Sequence, residues 1–334
     1  MASWMASRST FDLPTVERHE PRRLPPITIL TASRNGGAFL REALESVRSQ
    51  DYPELEHIVI DACSTDGSLA LLKKYPDITV ISEPDEGSHD ALNKGIARAA
   101  GEIIGFLNVD DIYPPGVLVD VGRIFASDPE VDVVVGHSIV FEDDEAGRRK
   151  VLFRRTHPRG NGLWLPELTF GVPAFSGCFF RHRVFARLPK LSNDLITADR
   201  QFLISVALAG SKSARLDRAT IWYRLHPGSA TINREMQNLL AISREYVGMA
   251  LEFSRRPDVP QPLRRVFLAW HAFEGAKLFA RSVWAGRLRE ASTVFKDLQA
   301  NNLVWPVHMV HGLMLRHAVR RLDPSGGQAT TPEL

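Results

Sequence analysis

Two adjacent carboxylates, Asp110 and Asp111, follow a short apolar run at positions 103–107. A run of this length between a glycine and a group of acids is typical of a buried strand in a parallel sheet. Ligands of open α/β sheets lie beyond the carboxyl ends of the strands, so both carboxylates are expected to face a ligand crevice. A divalent cation with oxygen ligands would relieve their mutual repulsion and hold phosphate groups. A polar turn that merely ends the strand is the alternative interpretation.

A third carboxylate, Asp199, precedes an apolar helical pattern that includes Phe202, Leu203 and Val206. It is therefore predicted to lie in the first turn of a helix, where the helix dipole stabilises a negative charge. Capping of that helix is the simplest function for such a residue.

Strands and helices alternate up to about residue 126, which predicts βαβ units on a parallel sheet. The predicted strands lie at 27–31, 57–60, 78–81 and 103–107. Polar residues follow each strand, and they converge at one edge of the sheet because the strands are parallel. They are Thr31 to Asn35, Asp61, Glu83 to Asp85, and Asn108 to Asp111.

The pattern changes after residue 126. A strand at 131–135 and a polar hairpin at 142–150 are predicted, followed by an aromatic and proline-rich segment at 163–180. Trp164, Phe170 and Phe175 of this segment can stack on sugar rings, although aromatic residues of this kind more often pack in a core. Cys178 is interpreted as a small buried hydrophobic residue.

Four regions are predicted along the chain: a disordered leader at 1–25, a catalytic domain at 26–232, a helical region at 233–322 and a flexible tail at 323–334. Helices are expected at 245–253, 263–280, 286–298 and 306–321. The last of these has apolar residues near one face and arginines towards its end. It is predicted either to pack on the catalytic domain or to lie on an anionic membrane surface.

The bulk properties are those of an ordinary globular protein, with 44% hydrophobic and 24% charged residues. A net charge of +2 excludes a strongly basic nucleic-acid-binding protein, so no nucleic-acid partner is expected. Two cysteines are too few for a disulfide framework or a zinc site. The first 25 residues contain no apolar signal segment, which predicts a cytoplasmic location, with peripheral attachment to the inner face of the membrane left open.

Several segments in order resemble family 2 glycosyltransferases with the GT-A fold, in particular the bacterial enzymes of capsular, exopolysaccharide or O-antigen synthesis. They are the TxxxN pattern after the first strand, IVIDACSTDGS, SEPDEGSHDALNKGIARAAGEIIGFLNVDD, PAFSGCFFRHRVF, TADRQFL and YRLHPGS. The resemblance covers about residues 26–230. It implies an α/β fold with a mostly parallel sheet flanked by helices, to which a C-terminal helical appendage is added.

The resemblance also implies a nucleoside-diphosphate sugar donor bound across the strand ends. Its motifs assign nucleotide contacts to residues of four kinds of segment. These are the first two loops, the segment after the third strand, the acidic pair and the YRxH segment. These residues are Thr31, Asn35, Asp61, Asp85, Asp90, Lys94, Asp110 and Arg224. A solvated helix face is an equally good interpretation of Asp90 and Lys94.

Metal binding and base catalysis follow from the same resemblance. Asp111 matches a direct ligand of Mn²⁺ or Mg²⁺. Asp110 matches a contact to the ribose or to the metal, and His226 matches a third metal ligand. Arg224 or His226 is expected to close over the diphosphate. Asp199 matches the base that deprotonates the acceptor hydroxyl, with Asp194 as a second candidate; the family's preceding acid is replaced by Ala198.

The predicted activity is therefore an inverting, metal-dependent transfer of a sugar to a hydroxyl of a glycan or lipid-linked acceptor. A non-catalytic scaffold that binds nucleotides or glycans is one alternative. A sugar-phosphate nucleotidyltransferase is a second alternative, disfavoured because the loop after the first strand contains a single cation, Arg34.

Overall fold

A mixed eight-stranded sheet forms the centre of the fold. The computed structural model describes residues 23–155, 163–171, 174–229 and 235–322. The predicted tail and all but positions 23–25 of the predicted leader therefore lie outside the described residues. The strands are β1 (Ile27–Ser33), β2 (Leu55–Asp61), β3 (Ile78–Ser82), β4 (Ile103–Phe106), β5 (Val133–Asp143), β6 (Arg149–Arg155), β7 (Cys178–Arg181) and β8 (Ser213–Arg224).

The first four strands confirm the predicted βαβ pattern. β1 pairs in parallel with β2 and β4, and β2 pairs in parallel with β3. Gly105 lies in the middle of β4, where a Cβ atom would come within 2.7 Å of side-chain atoms of both Ile29 and Phe179. Glycine therefore allows the side chains of the neighbouring strands to pack across β4.

Seven helices precede the C-terminal region within the described residues. They are α1 (Gly37–Arg48), α2 (Ser68–Leu72), α3 (Ser88–Ile96), α4 (Val117–Ser127), α5 (Leu165–Phe170), α6 (Arg183–Arg187) and α7 (Ala198–Leu208). The amphipathic pattern of α1 is typical of the set, because Leu40, Ala43, Leu44 and Val47 recur at helical spacing and are all buried.

The second half of the sheet is mostly antiparallel. β7 pairs with β4 and β5 in antiparallel orientation, and β5 and β6 form the predicted polar hairpin. β8, which was not predicted, pairs in parallel with β5. β7 lies between β4 and β5 and is antiparallel to both. β5 and β8 therefore run in the same direction as β1 to β4.

Four longer helices follow: α8 (Met236–Arg255), α9 (Gln261–Trp284), α10 (Leu288–Asn301) and α11 (Trp305–Leu322). They extend the core of the sheet, because one buried cluster joins Leu30 and Phe202 to Phe253 and Trp270. Arg200 of α7 connects the two parts as well. Its guanidinium donates to carbonyl oxygens at the end of α5 and lies 4.5 Å from the ring centre of Tyr246.

The aromatic segment packs mainly inwards. Phe175 is buried between Phe106 and Phe180, with ring centres 4.6 and 5.6 Å away, and Phe170 lies against Phe273. Cys178 is buried as predicted. The core interpretation of Phe175 is therefore confirmed.

Candidate functional site

The carboxyl ends of the parallel strands bring most of the predicted residues to one edge of the sheet. The loop after β4 contains Asp110 and Asp111, and the segment after β8 contains His226. Loops after β1, β2 and β3 reach the same edge because β1 to β4 are parallel. The topology thus places the candidate site at the predicted edge, with β8 as an additional contributor.

Asp111 is fully buried and acts as a structural junction. Its Oδ1 accepts a hydrogen bond from the backbone N–H of Arg224 and its Oδ2 accepts one from Asn108, both at 2.9 Å. Burial, with the charge of Asp110, raises the pKa of Asp111 to about 8. Both oxygens of Asp111 are bonded within the protein and its side chain has no exposed surface, so it holds the acidic loop against β8. Direct binding of a metal by Asp111 stays a prediction.

Asp110 is the accessible member of the acidic pair. Its Oδ2 lies 2.9 Å from Nε2 of His226, and both side chains are 22% exposed. The backbone N–H of Gly228 donates to Nδ1 of His226 at 3.2 Å, which holds the imidazole towards the carboxylate. The ring of Phe39, from the start of α1, lies 4.9 Å from the imidazole.

This pair suits one side of a divalent-cation site. Carboxylate oxygen and imidazole nitrogen are both ligands of Mn²⁺, and the two donor atoms are adjacent and reachable from solvent. Within the part of the chain that the structure describes, no group of three or more His, Cys, Asp or Glu side chains could hold a metal. A cation bound by Asp110 and His226 would therefore take its other ligands from phosphate oxygens or water.

Arg224 is largely buried, although it contributes to the lining of the cleft beside the site, and its predicted contact with the diphosphate stays a prediction. Its Nε donates to the backbone oxygen of Asp110 at 2.9 Å, and its terminal nitrogens form ion pairs with Glu42 and Asp143. The guanidinium also lies between the rings of Phe39 and Phe141, 4.9 and 4.7 Å from their centres. Arg224 therefore fixes the loop of Asp110 to β8 and α1.

A cleft of about 420 Å³ opens beside this cluster. Its lining includes Phe39, Arg224 and His226 together with two acids of the hairpin, Glu142 and Asp143. The cleft is large enough for a small polar ligand, and His226 of the Asp110–His226 pair forms part of its wall.

The loops after β1 and β2 are tied to each other. The backbone N–H of Asn35 donates to Ser64 Oγ, and the side-chain oxygen of Asn35 accepts from the N–H of Thr65, both at 2.8 Å. Asn35 adopts a positive φ of 53°, which asparagine tolerates better than most residues. Asn35 thus lies at the predicted edge and shapes both loops.

Two predicted nucleotide contacts, Thr31 and Asp61, are buried, and their contact with a nucleotide stays a prediction. Thr31 is a fully buried residue of β1, and its hydroxyl lies 3.0 Å from Nε2 of His57. Asp61 is also fully buried, and its carboxylate accepts hydrogen bonds from Ser64 and Ser82. Both residues support the loops, and their side chains do not reach the surface of the site.

Asp85, Asp90 and Lys94 form one local network after β3. Lys94 pairs with Asp90 at 2.9 Å and donates to the backbone oxygen of Pro84 at 2.7 Å. The hydrogen bond with Lys94 lowers the pKa of Asp90, and the same bond raises the pKa of Lys94. Asp85 accepts from the N–H of Gly87. The ion pair of Lys94 and Asp90 therefore stabilises the loop after β3.

Asp199 lies in the first turn of α7, as predicted, and its Oδ1 accepts from the N–H of Arg200 at 2.7 Å. Burial raises the pKa of Asp199, which makes its carboxylate a stronger base than an exposed aspartate. The alternative base, Asp194, is exposed in the preceding loop.

Two residues near Asp199 were not predicted. Glu245 of α8 accepts hydrogen bonds from the backbone of Ile196 and from both the N–H and the hydroxyl of Thr197, at 2.7–2.9 Å. His89 of α3 lies within electrostatic range of Asp199 and Glu245, and burial lowers its pKa. His89 is adjacent in sequence to Asp90, a predicted nucleotide contact. Glu245 lies 48 positions from Thr197, and no sequence signal marks the contact between them.

Asp199 and Tyr113, which follows the acidic loop, both lie within electrostatic range of Cys178 at the start of β7. β7 starts at Cys178, beside the end of β4, because Phe179 pairs with Gly105. The charge of Asp199 contributes to the raised pKa of Cys178, and Asp111 and Cys178 both contribute to that of Tyr113, for which burial is the main cause.

Comparison with known proteins identifies the family. The profile of glycosyl transferase family 2 matches residues 28–185. An uncharacterized glycosyltransferase from Nostoc is 30% identical over 307 residues, covering 84% of this chain and 89% of the relative. The chain belongs to glycosyl transferase family 2. ExoO, a succinoglycan biosynthesis protein of Rhizobium meliloti, is 28% identical and covers 62% of this chain and 63% of its own.

Solved structures show the same fold for this family 2 glycosyltransferase. TarS 1–349 of S. aureus, in complex with UDP-GlcNAc, superposes with a TM-score of 0.64 at 18% identity, covering 89% of this chain and 88% of TarS. PcManGT of Pyrobaculum calidifontis, in complex with GDP-Man and Mn²⁺, gives 0.55 at 19% identity, covering 91% and 88%. The GT-A fold is therefore confirmed for this glycosyltransferase. Among the helices that the structure describes, none is long and apolar enough to cross a membrane.

Proposed function

We propose that this glycosyltransferase is an inverting, metal-dependent enzyme that uses a nucleoside-diphosphate sugar. The acceptor is a hydroxyl group of a glycan or a lipid-linked glycan in cell-surface polysaccharide synthesis. The observation that carries the proposal is the Asp110–His226 pair at the carboxyl edge of the sheet, with donor atoms 2.9 Å apart beside an open cleft.

The donor class is supported by the polar residues at the carboxyl edge of the sheet and by the ligands of the structural neighbours. TarS and PcManGT are described in complexes with UDP-GlcNAc and GDP-Man. In this chain, Asn35 of the first loop is exposed and Asp85 of the third loop is partly exposed. We assign them, with Thr65 beside Asn35, to the nucleotide end of the donor.

A divalent cation at Asp110 Oδ2 and His226 Nε2 would replace the hydrogen bond between these two atoms, and the imidazole proton would move to Nδ1. When bound, Mn²⁺ or Mg²⁺ stabilises the negative charge of the leaving nucleoside diphosphate. In this assignment the main task of Asp111 and Arg224 is indirect. They hold the peptide of Asp110 in place through the buried hydrogen bonds of Asp111 Oδ1 and Arg224 Nε.

Asp199 is assigned as the general base. Its carboxylate takes the proton of the acceptor hydroxyl while that oxygen forms a bond to the anomeric carbon of the sugar. The bond from the anomeric carbon to the phosphate oxygen breaks, and its electron pair leaves with the nucleoside diphosphate. A single displacement of this kind inverts the configuration of the sugar.

The acceptor class is supported by relatives named for polysaccharide assembly. ExoO is a succinoglycan biosynthesis protein, and TuaG of Bacillus subtilis is described as a teichuronic acid biosynthesis glycosyltransferase. By analogy with these relatives, a role in polysaccharide assembly is part of the proposal for this chain.

The proposal is tested by nucleotide release from UDP-, GDP- and dTDP-sugars with Mn²⁺, for the wild type and for Asp199→Asn. The amide removes the base without changing the shape of the side chain, so release should fall at least about 100-fold while donor binding persists. Asp194→Asn is the matched control and should keep the wild-type rate. Equal rates for wild type and Asp199→Asn would contradict the assignment of the base.

A further inference from the structure

Helix α11 has two different faces. On one side it packs against α9 and α5, where Gly312 lies close to Ala269 and Phe273 and Val319 is buried. The opposite side is exposed, and its residues recur at intervals of three and four. An exposed helix face of a globular protein is normally polar.

The exposed face of α11 is instead apolar over its first three turns. Val307 is 67% exposed, Val310 54%, Leu313 50% and Met314 66%, and Leu303, just before the helix, is 87% exposed. A contiguous apolar surface of this kind on a protein marks an interaction site.

An aromatic row joins the packed side of the start of α11 to the two preceding helices. The rings of Phe279 in α9 and Phe295 in α10 are 6.2 Å apart, and Phe295 is a further 6.2 Å from Trp305 at the start of α11. Phe279 and Phe295 are 38% and 40% exposed. Exposed apolar side chains therefore occur on α9 and α10 as well as on α11.

The charges of α11 indicate what this surface meets. The helix contains no acidic residue, and Arg320 and Arg321 are exposed at its end, on the same side as the apolar face. The segment from residue 253 to 334 contains 12 Lys and Arg against 6 Asp and Glu. A second copy of the face would supply no acid of α11 to these arginines, whereas anionic lipid headgroups supply phosphate.

We propose that the exposed face of α11 binds the surface of an anionic membrane. The helix lies in the plane of the interface, with Val307, Val310 and Met314 inserted at the boundary of the headgroups and acyl chains. Arg320 and Arg321 contact lipid phosphates. This is the arrangement of interfacial amphipathic helices, which bind through buried apolar area and electrostatic attraction together. It does not depend on the identity of the donor or acceptor.

The test is co-sedimentation of the full chain with vesicles of phosphatidylcholine, with and without phosphatidylglycerol. The wild type should bind the anionic vesicles at low salt and bind the neutral vesicles weakly. Arg320→Gln with Arg321→Gln should lower the affinity about 25-fold, at about fivefold for each arginine. The triple variant Val307→Ser, Val310→Ser, Met314→Ser should lower it at least about tenfold.

A matched control places serine at two exposed valines elsewhere, Val80 and Val151, and should bind as the wild type does. All variants should keep the wild-type melting temperature, since the changed side chains are exposed. A wild type that stays in the supernatant with anionic vesicles would overturn the proposal. So would equal binding of the serine variant, or a dimer in sedimentation velocity that the serine variant abolishes.

Discussion

At the scale of single residues, adjacent side chains of one motif have different tasks. Asp110 is partly exposed and paired with His226, whereas Asp111 is buried and bonded on both oxygens. The sequence predicts the pair but cannot rank its members. The burial of Asp111 depends on the amide of Arg224, which lies 113 positions away.

The loop before Asp199 gives a prediction about pH. The charge of Glu245 raises the pKa of Asp199 further, and Glu245 holds the backbone of Ile196 and Thr197. A base works only when deprotonated, so activity should be lost with falling pH around a raised pKa. In Glu245→Gln the acidic limb should move to lower pH, and kcat should fall about tenfold with little change in the donor KM.

Measurement of kcat and KM across pH distinguishes this positioning role from a merely structural one. Glu252→Gln, an exposed change on the same helix, is the control and should leave the profile unchanged. An acidic limb at the same pH in wild type and Glu245→Gln would contradict the electrostatic link.

At the scale of elements, β8 decides the geometry of the site. The apolar runs of β1 to β4 predict those strands well. Ser213–Arg224 was missed because its residues are mostly half-buried and include Arg215, Asp217 and Arg218, which weaken any apolar signal. The predicted YRLH segment is therefore the end of a strand, and that position explains why Arg224 points inwards.

Arg224→Gln should destabilise the fold. Removing a buried guanidinium breaks its ion pairs with Glu42 and Asp143 and its bond to the backbone oxygen of Asp110. The expected loss in the free energy of unfolding is about 3 kcal/mol, at the low end for broken buried pairs because the two carboxylates stay partly hydrated. Urea denaturation measures it, with Arg218→Gln, a more exposed residue of the same strand, as the control at about 1 kcal/mol or less.

At the scale of the whole molecule, the C-terminal helices belong to the same core as the sheet. The sequence predicts these helices from their periodicity but not which partners they bury, since amphipathic patterns do not specify neighbours. Trp270 of α9 is fully buried and lies 5.4 Å from the ring of Tyr246, which in turn lies under Arg200. The helical region thereby supports the first turns of α7, where Asp199 lies.

Trp270→Ala should cost about 3–5 kcal/mol in the free energy of unfolding, as for other large buried aromatic residues. Trp270→Phe is the milder comparison, because it keeps an aromatic ring and removes an indole N–H that has no hydrogen-bond partner among the described residues. If the alanine variant unfolded at the same denaturant concentration as the wild type, the helical region would not be part of the core.

The most direct test of the central claim is a thermal-shift comparison of wild type, Asp110→Asn and Asp111→Asn with UDP-, GDP- and dTDP-sugars, each with and without Mn²⁺. Binding to the native state raises the melting temperature. The wild type should show a Mn²⁺-dependent shift with one nucleotide class. Asp110→Asn should lose that shift. Asp111→Asn should retain the shift, although its melting temperature without ligand should differ from that of the wild type. A Mn²⁺-dependent shift that survives in Asp110→Asn and disappears in a folded Asp111→Asn would contradict the assignment of Asp110 and His226 as the cation site.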